Sequence, residues 1–323
     1  MDRPNNIQAR DSISVVYYAG KVLFSVLRWF FLICVGFIIV YPLIYMFSMS
    51  IRTPADYYDV TVVWIPKHFT TMHYEMVVGK IGLWRPMFNS FIIAFGSTIG
   101  QLFIGAMTGY GFARFKFKGN GLLFIFVIIT IMMPTQMIQI PSYLIMNDFD
   151  LFGIFKAIFG HGTGIRLTDS FAAFLVPAFL GQGMRAGLII LILRMFFITM
   201  PVELEEAARI DGCGYLRTYL RVMLPNAKTP LFICGMLSLV WYWADYFGPY
   251  SLIYAESKKP IAVSLMNINS ILDRYLDNAQ QNNSYKMPMW NASLLFGLLP
   301  LLIAFFLVQG SFKQGFERSG IVG

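Results

Sequence analysis

The chain has 323 residues, of which 57% are hydrophobic and 13% charged, and its mean hydropathy is +0.61. A soluble domain carries about a quarter charged residues, so the composition excludes a water-soluble globule and places the chain in a membrane. The net charge of +8 does not point to nucleic acid, because the bases are scattered at the ends of apolar segments, where they set membrane orientation.

Taken in order, the N-terminal "MDRPNNIQARDSISVVYYAGK" is polar, and no A-x-A-like cleavage site follows the first apolar run. That run, 22–48, is expected to remain as an anchor helix, since about 20 apolar residues cross the hydrocarbon core. Arg28 lies near enough to its start to snorkel toward headgroups. The next span, 87–113, has no charge, and the turn "RFKFKGNG" follows it. Segment 119–147 is also free of charge until its end and contains Pro134 and Pro141, so a kink is expected there.

Segment 171–197 is different. "FAAFLVPAFL" and "LIILILRMFF" each give roughly 15 Å of helix, and "GQGMRAG" at 181–187 separates them. Interrupted helices at membrane depth are tolerated only where protein or a water-filled cavity shelters the backbone, which marks this as an element of a transport path. A charged hairpin, 201–225, comes next, then spans at 229–244 and 287–312.

The expected fold is therefore an all-α integral membrane protein with six transmembrane helices and both termini on one side. The chain 1–323 is read as one permease-like domain, with the anchor at 22–48 and a core at 87–312. In this arrangement the side bearing the hairpin and termini takes fourteen of the twenty-five Lys and Arg residues. The excess of bases in the short turn and the hairpin makes that side cytoplasmic.

Cys34, Cys213 and Cys234 have no paired spacing, and His68, His73 and His161 fall in polar loops. No disulfide framework, metal site or catalytic constellation is expected.

The hairpin "PVELEEAARIDGCGYLRTYLRVMLP" is the most informative stretch. Pro201 suits the first turn of a helix, and Glu203, Glu205 and Glu206 favour the positive end of its dipole. Ala207 and Ala208 let another backbone approach closely. Asp211 and Gly212 end the helix, Arg209 lies in its last turn, and a second helix at 215–223 is expected to stop before Pro225. The product is a protruding knob.

Glu206-Ala207-Ala208, three residues, Gly212, nine residues, then Val222-Met223-Leu224-Pro225 resembles the EAA loop of ABC importer permeases, with Val222 in place of Ile. "RMFFITMPVELEEAARIDG" is similar to the carbohydrate-uptake branch, typified by maltose transporters. "MMPTQMIQIPSYLIM", "WYWADYFGPY" and "QGSFKQGFERSGIVG" resemble its third span, its W-N-E-F-x-x-P segment (with Ala244 for Asn) and its C-terminal end.

The resemblance implies a type I ABC importer permease fold in a bacterial cytoplasmic membrane. It makes the knob a coupling helix, with Glu203, Glu205, Glu206, Ala207, Ala208, Arg209, Asp211 and Gly212 meeting a cytoplasmic ATPase. The implied partners are a second homologous permease, two ATPase copies and an extracytoplasmic sugar-binding protein that meets loops 52–85 and 256–286. This chain has no G-x-x-x-x-G-K-[ST] phosphate loop, so ATP and Mg are expected on the partner ATPase, with no cofactor here.

Polar groups inside spans are costly unless they line a cavity or find partners. Asn89, Gln101, Gln136, Gln139, Tyr143, Arg185, Trp243, Asp245, Tyr246 and Asn291 are the substrate-path candidates, and Trp241 adds an aromatic surface. Arg185 has two readings: a cation that attracts an acidic sugar or its hydroxyls, or an outer-interface Arg held by headgroups or a carboxylate. Sequence alone leans to the second. A secondary transporter is disfavoured because Asp245 is the sole acid well inside an apolar run. The open alternative is another ABC importer branch, for amino acids, phosphate or polyamines.

Overall fold

A computed structural model describes residues 5–151, 153–159, 164–280 and 283–319; His161 lies outside them. The described residues are helical, with two isolated bridges, Arg52–Phe69 and Phe149–Ile165, and no strand. The principal helices are α1 (Asn5–Ser50), α2 (Trp84–Arg114), α3 (Asn120–Met132), α4 (Gln139–Asn147), α5 (Ala172–Phe179) and α6 (Ala186–Thr199). After them come α7 (Glu203–Ile210), α8 (Tyr215–Asn226), α9 (Lys228–Ala244), α10 (Phe247–Leu252), α11 (Ile268–Asn278) and α12 (Lys286–Ser319).

Three segments are singly long and apolar enough to cross a membrane: Gly20–Ser50, Trp84–Arg114 and Asn283–Leu307. The other expected spans are shorter or broken. Segment 119–147 does more than kink: α3 ends at Met132, and Met133 to Ile138 intervene before α4. Pro134 cannot donate an N–H, and it pushes the residue before it out of the helical region. Met133 indeed has extended backbone angles. Segment 171–197 splits into α5 and α6 as expected. The anchor is longer than its apolar run, because α1 is 46 residues and continues as helix through the polar stretch before it.

The centre of the molecule is α2, which packs against α5, α6 and α9. Its small residues allow this. A Cβ on Gly105 or Gly109 would meet Ile189, Leu193 and the Arg194 backbone at 3.0–3.1 Å, so α6 lies close enough for backbone contact, as small-residue interfaces in membranes do. α1 packs on α12 at the periphery, and its apolar stretch is otherwise open to lipid or a partner.

Two apolar cores form along α2. One, at the end bearing Trp84, contains Leu83, Met87, Ile93, Phe174, Trp243, Leu272 and Met289. The other, toward Arg114, contains Tyr110, Ile189, Leu193, Phe197, Tyr219 and Met223. Between them, halfway along the helix, lies a polar belt. Thr98 Oγ1 is 3.2 Å from Ser238 Oγ, Ser238 Oγ donates to Gln101 Oε1 at 3.0 Å, and Gln101 Nε2 donates to Met184 O at 2.8 Å. Each member is buried with its partner in place, which is the condition for tolerating polar groups at this depth.

The loops at the Trp84 end are folded. Buried Arg52 donates to Val62 O and Val63 O at 3.0 and 2.7 Å, and His73 Nε2–H donates to Arg52 O at 2.8 Å. Asp169, with φ 57°, accepts from Tyr254 N and Ala255 N at 3.0 and 2.9 Å. The Ala255 N–H and the Lys258 ammonium hold its carboxyl below the usual carboxylate range.

Candidate functional site

Two regions concentrate the residues singled out above: the knob after α6 and a groove at the three breaks in the spans.

In the knob, α7 starts at Glu203, two residues after Pro201, and its first turn closes on Val202 O, which accepts from Glu205 N and Glu206 N. It ends in a Schellman turn: Cys213 N donates to Ala208 O at 2.9 Å and Gly212 N to Arg209 O at 3.0 Å. Gly212 has φ +79°, where a Cβ is strained.

The helix has two faces. Glu203, Glu206, Ala207 and Ile210 are exposed, whereas Glu205 and Ala208 are buried. The expectation that all three glutamates and both alanines face a partner needs correcting. Glu205 Oε1 is 3.0 Å from Arg114 Nε and its Oε2 is 3.5 Å from Arg209 Nη2. Arg114 Nη2 also donates to Met200 O at 2.6 Å. Glu205 and Arg114 therefore latch α7 to the end of α2, and Ala208 packs inward beside them. A spacing of i, i+3 puts 205 and 208 on one face, and 203, 206, 207 and 210 on the other.

The second helix of the hairpin also differs from expectation. It runs through Pro225 to Asn226, because residues Tyr219–Met223 form a π-turn. The wider turn shifts the hydrogen-bond register ahead of the proline, which then occupies the first turn of the next α segment, where its missing N–H costs little. The exposed side of the knob carries apolar residues beside Glu203 and Glu206: Ile210 is 87% exposed and Leu216 66%, with Val202, Tyr215 and Leu220 nearby in sequence.

The groove lies where the α3–α4, α5–α6 and α9–α10 breaks meet. Two adjoining cavities, of about 810 and 430 Å³, share Thr135, Ser142, Gln182, Gly183 and Arg185. Gln136 lines the larger one, while Gln139, Trp241, Asp245 and Tyr246 line the smaller. The α5–α6 loop is fixed from behind. Met184 N donates to the Tyr242 hydroxyl at 2.8 Å, and Met184 O accepts from Gln101. A Cβ on Gly183 would lie 2.6 Å from the Tyr242 oxygen, so this backbone sits directly on its support. On the open side, the Arg185 guanidinium lies 4.9 Å from the Trp241 ring centroid.

Of the substrate-path candidates, Gln136, Gln139, Arg185, Asp245 and Tyr246 come together here. Four do not. Asn89 donates to Ser257 O and Lys259 O at 3.0 Å each and fixes a loop. Buried Trp243 donates Nε1–H to Gly297 O at 3.1 Å and packs edge-on against Phe91. Asn291 is buried and donates within its own helix to Met287 O. Tyr143 packs on the apolar core.

Sequence reasoning missed Thr98, Ser238 and Tyr242. The first two are small hydroxyls that look neutral in a hydropathy profile, and Tyr242 is hidden between tryptophans. The exposed Arg185 lies level with the middle of α2. Its neighbour Met184 is bonded to Gln101, which stands 17 residues from Trp84 and 13 from Arg114, so about 25 and 20 Å from the ends of α2.

Residues 101–314 match the model of the family described as "Binding-protein-dependent transport system inner membrane component". The maltodextrin transport system permease protein MdxG of Bacillus subtilis is 26% identical over 310 residues, covering 94% of this chain and 98% of that protein. The sn-glycerol-3-phosphate transport system permease protein UgpE of Escherichia coli is 23% identical over 288 residues, covering 87% and 92%. A crystal structure of a bacterial ABC transporter involved in the import of the acidic polysaccharide alginate has a chain of the same fold, with TM-score 0.74 and 23% identity. That match covers 90% of this chain and 97% of the other.

Proposed function

We propose, from the premise that this chain belongs to the family of binding-protein-dependent transport system inner membrane components, that it is one of two non-identical permease subunits of an ABC importer for oligosaccharides. The fold is that of a type I importer permease. Residues 1–323 form one membrane domain, with both termini and the hairpin 201–225 in the cytoplasm. Of two copies of a separate ATPase, which bind ATP and Mg, one docks on this knob and the other on the equivalent knob of the partner permease. An extracytoplasmic binding protein delivers sugar at the loops of the Trp84 end.

The observation that carries this reading is the knob itself. Its inner face is latched by a buried ion pair, while its outer face offers Ile210 and Leu216 to water. Exposed apolar residues on a rigid projection call for a partner. The sugar assignment is supported by the groove, which combines amides, hydroxyls and an aromatic face, and by relatives named for maltodextrin and alginate import.

Purification of the tagged chain from its native membrane in mild detergent tests the proposal. It predicts a co-eluting homologous permease and an ABC ATPase whose turnover rises with a sugar-loaded binding protein. Co-elution of neither contradicts it, and stimulation by an amino acid, phosphate or polyamine moves the chain to another importer branch.

A further inference from the structure

Arg185 is set apart from the other bases by its depth. It stands beside Met184, about midway along α2, where a cation is costly and marks function by default. Among the described residues no carboxylate lies within ion-pair range of it, and its recorded partner is the Trp241 ring. The side chain is also held with some strain. Arg185 has φ 53°, in the left-handed region that residues with a Cβ rarely adopt. Gln101 and Tyr242 impose that geometry from behind through Met184, and the Thr98–Ser238 pair supports Gln101. A rigid, buried support thus points one unpaired cation into a groove.

We propose that Arg185 and Trp241 form a subsite for the carboxylate of an acidic sugar residue, so that the importer carries uronate-containing oligosaccharides. The inference rests on the sugar reading above and adds the charge of the cargo. The N-terminus of α6, 14 residues long, opens at the same place and adds a positive field. A guanidinium presents parallel N–H donors that match one carboxylate, and the neighbouring indole offers a flat face to the ring. Gln139, Gln182 and Asp245 line the same cavity and suit hydroxyls. A phosphate dianion is served less well, since one arginine leaves it half neutralised in a groove that also holds Asp245. A neutral sugar leaves the cation unpaired.

The test uses the assembled complex with its binding protein in proteoliposomes. Transport is compared for three cargoes of equal length: a neutral oligosaccharide, its C6-oxidised uronate analogue and a phosphorylated analogue. Arg185→Gln is expected to lower the uronate-to-neutral transport ratio tenfold or more, and Arg185→Lys to recover part of it. An unchanged ratio overturns the subsite. So does loss of the partner permease from the purified variant complex, which makes Arg185 an interface residue. An equal fall for the phosphorylated cargo overturns the choice of carboxylate. A wild-type complex that moves no sugar of any kind, yet is stimulated by another solute class, sinks the sugar reading itself.

Discussion

The knob and the groove solve opposite problems with the same kinds of residue. In the knob, charge faces water on one side, and the pair that points inward, Glu205 and Arg114, is neutralised within the chain. In the groove the inward side is a neutral relay of hydroxyls and amides, and Arg185 faces the opening with no counter-ion among the described residues. The proposed function accounts for both: a lever worked by an ATPase has to be stiff in itself, and a transport path has to attract a passenger. The comparison separates residues that hold shape from residues that meet a ligand, and each can be broken on its own.

The largest effect is expected at the latch. Glu205→Ala leaves Arg114 buried without a counter-charge and should cost about 3–5 kcal/mol, read as a fall in melting temperature with uncoupled ATPase activity. Replacing both, as Glu205→Ala with Arg114→Leu, should recover part of that loss. Glu206→Ala on the exposed face should shift stability by no more than about 0.5 kcal/mol while weakening ATPase association. Equal effects of Glu205→Ala and Glu206→Ala break the distinction between the two faces.

Next comes the relay. Gln101→Leu leaves Met184 O without its donor and removes the acceptor for Ser238, and should cost about 1–3 kcal/mol. Because the relay supports the α5–α6 loop, proteolytic or hydrogen-exchange protection should fall at 181–187 and not in the knob. Gly212→Val follows. The space around it is open, so the cost is the backbone strain alone, about 1–2 kcal/mol. Its signature is poorer ATPase co-purification rather than loss of fold.

The smallest effect concerns the loops of the Trp84 end. Burial holds the His73 imidazole below its ordinary value of 6.5, so it is neutral in the folded protein. The unfolded chain takes up a proton at that position first as pH falls. Stability should therefore be fully present above about pH 6.5 and decline below it. A melting series from pH 8 to pH 5 checks this, and His73→Gln should flatten the slope.

The sequence disclosed the knob well because its information is contiguous: acids, two alanines, Gly212 and Leu224-Pro225 stand in one run. Even the inward turn of Glu205 follows from helical periodicity, once Arg114 is recognised as its partner. The path of the helix through Pro225 was not legible, because a π-turn depends on packing of Tyr219 and Met223 into the core. The groove was legible only in part. Its breaks are marked by Pro134, Gly181, Gly183 and the polar run after Trp243, but the pieces are up to about a hundred residues apart (Gln139 Nε2 donates to Phe247 O). Only the fold brings them together. Trp243 and Asp245 show the limit most clearly: two residues apart, one fills the core and the other lines the cavity.

The most direct test of the central claim is the sidedness of the knob. In a background with Cys34, Cys213 and Cys234 all replaced by serine, a single cysteine at Ile210→Cys is reacted with a membrane-impermeant maleimide in intact cells and in inside-out vesicles stripped of, or carrying, the ATPase. Labelling only in the stripped inside-out vesicles, with protection when the ATPase is present, is the predicted result. Labelling from outside intact cells contradicts the account.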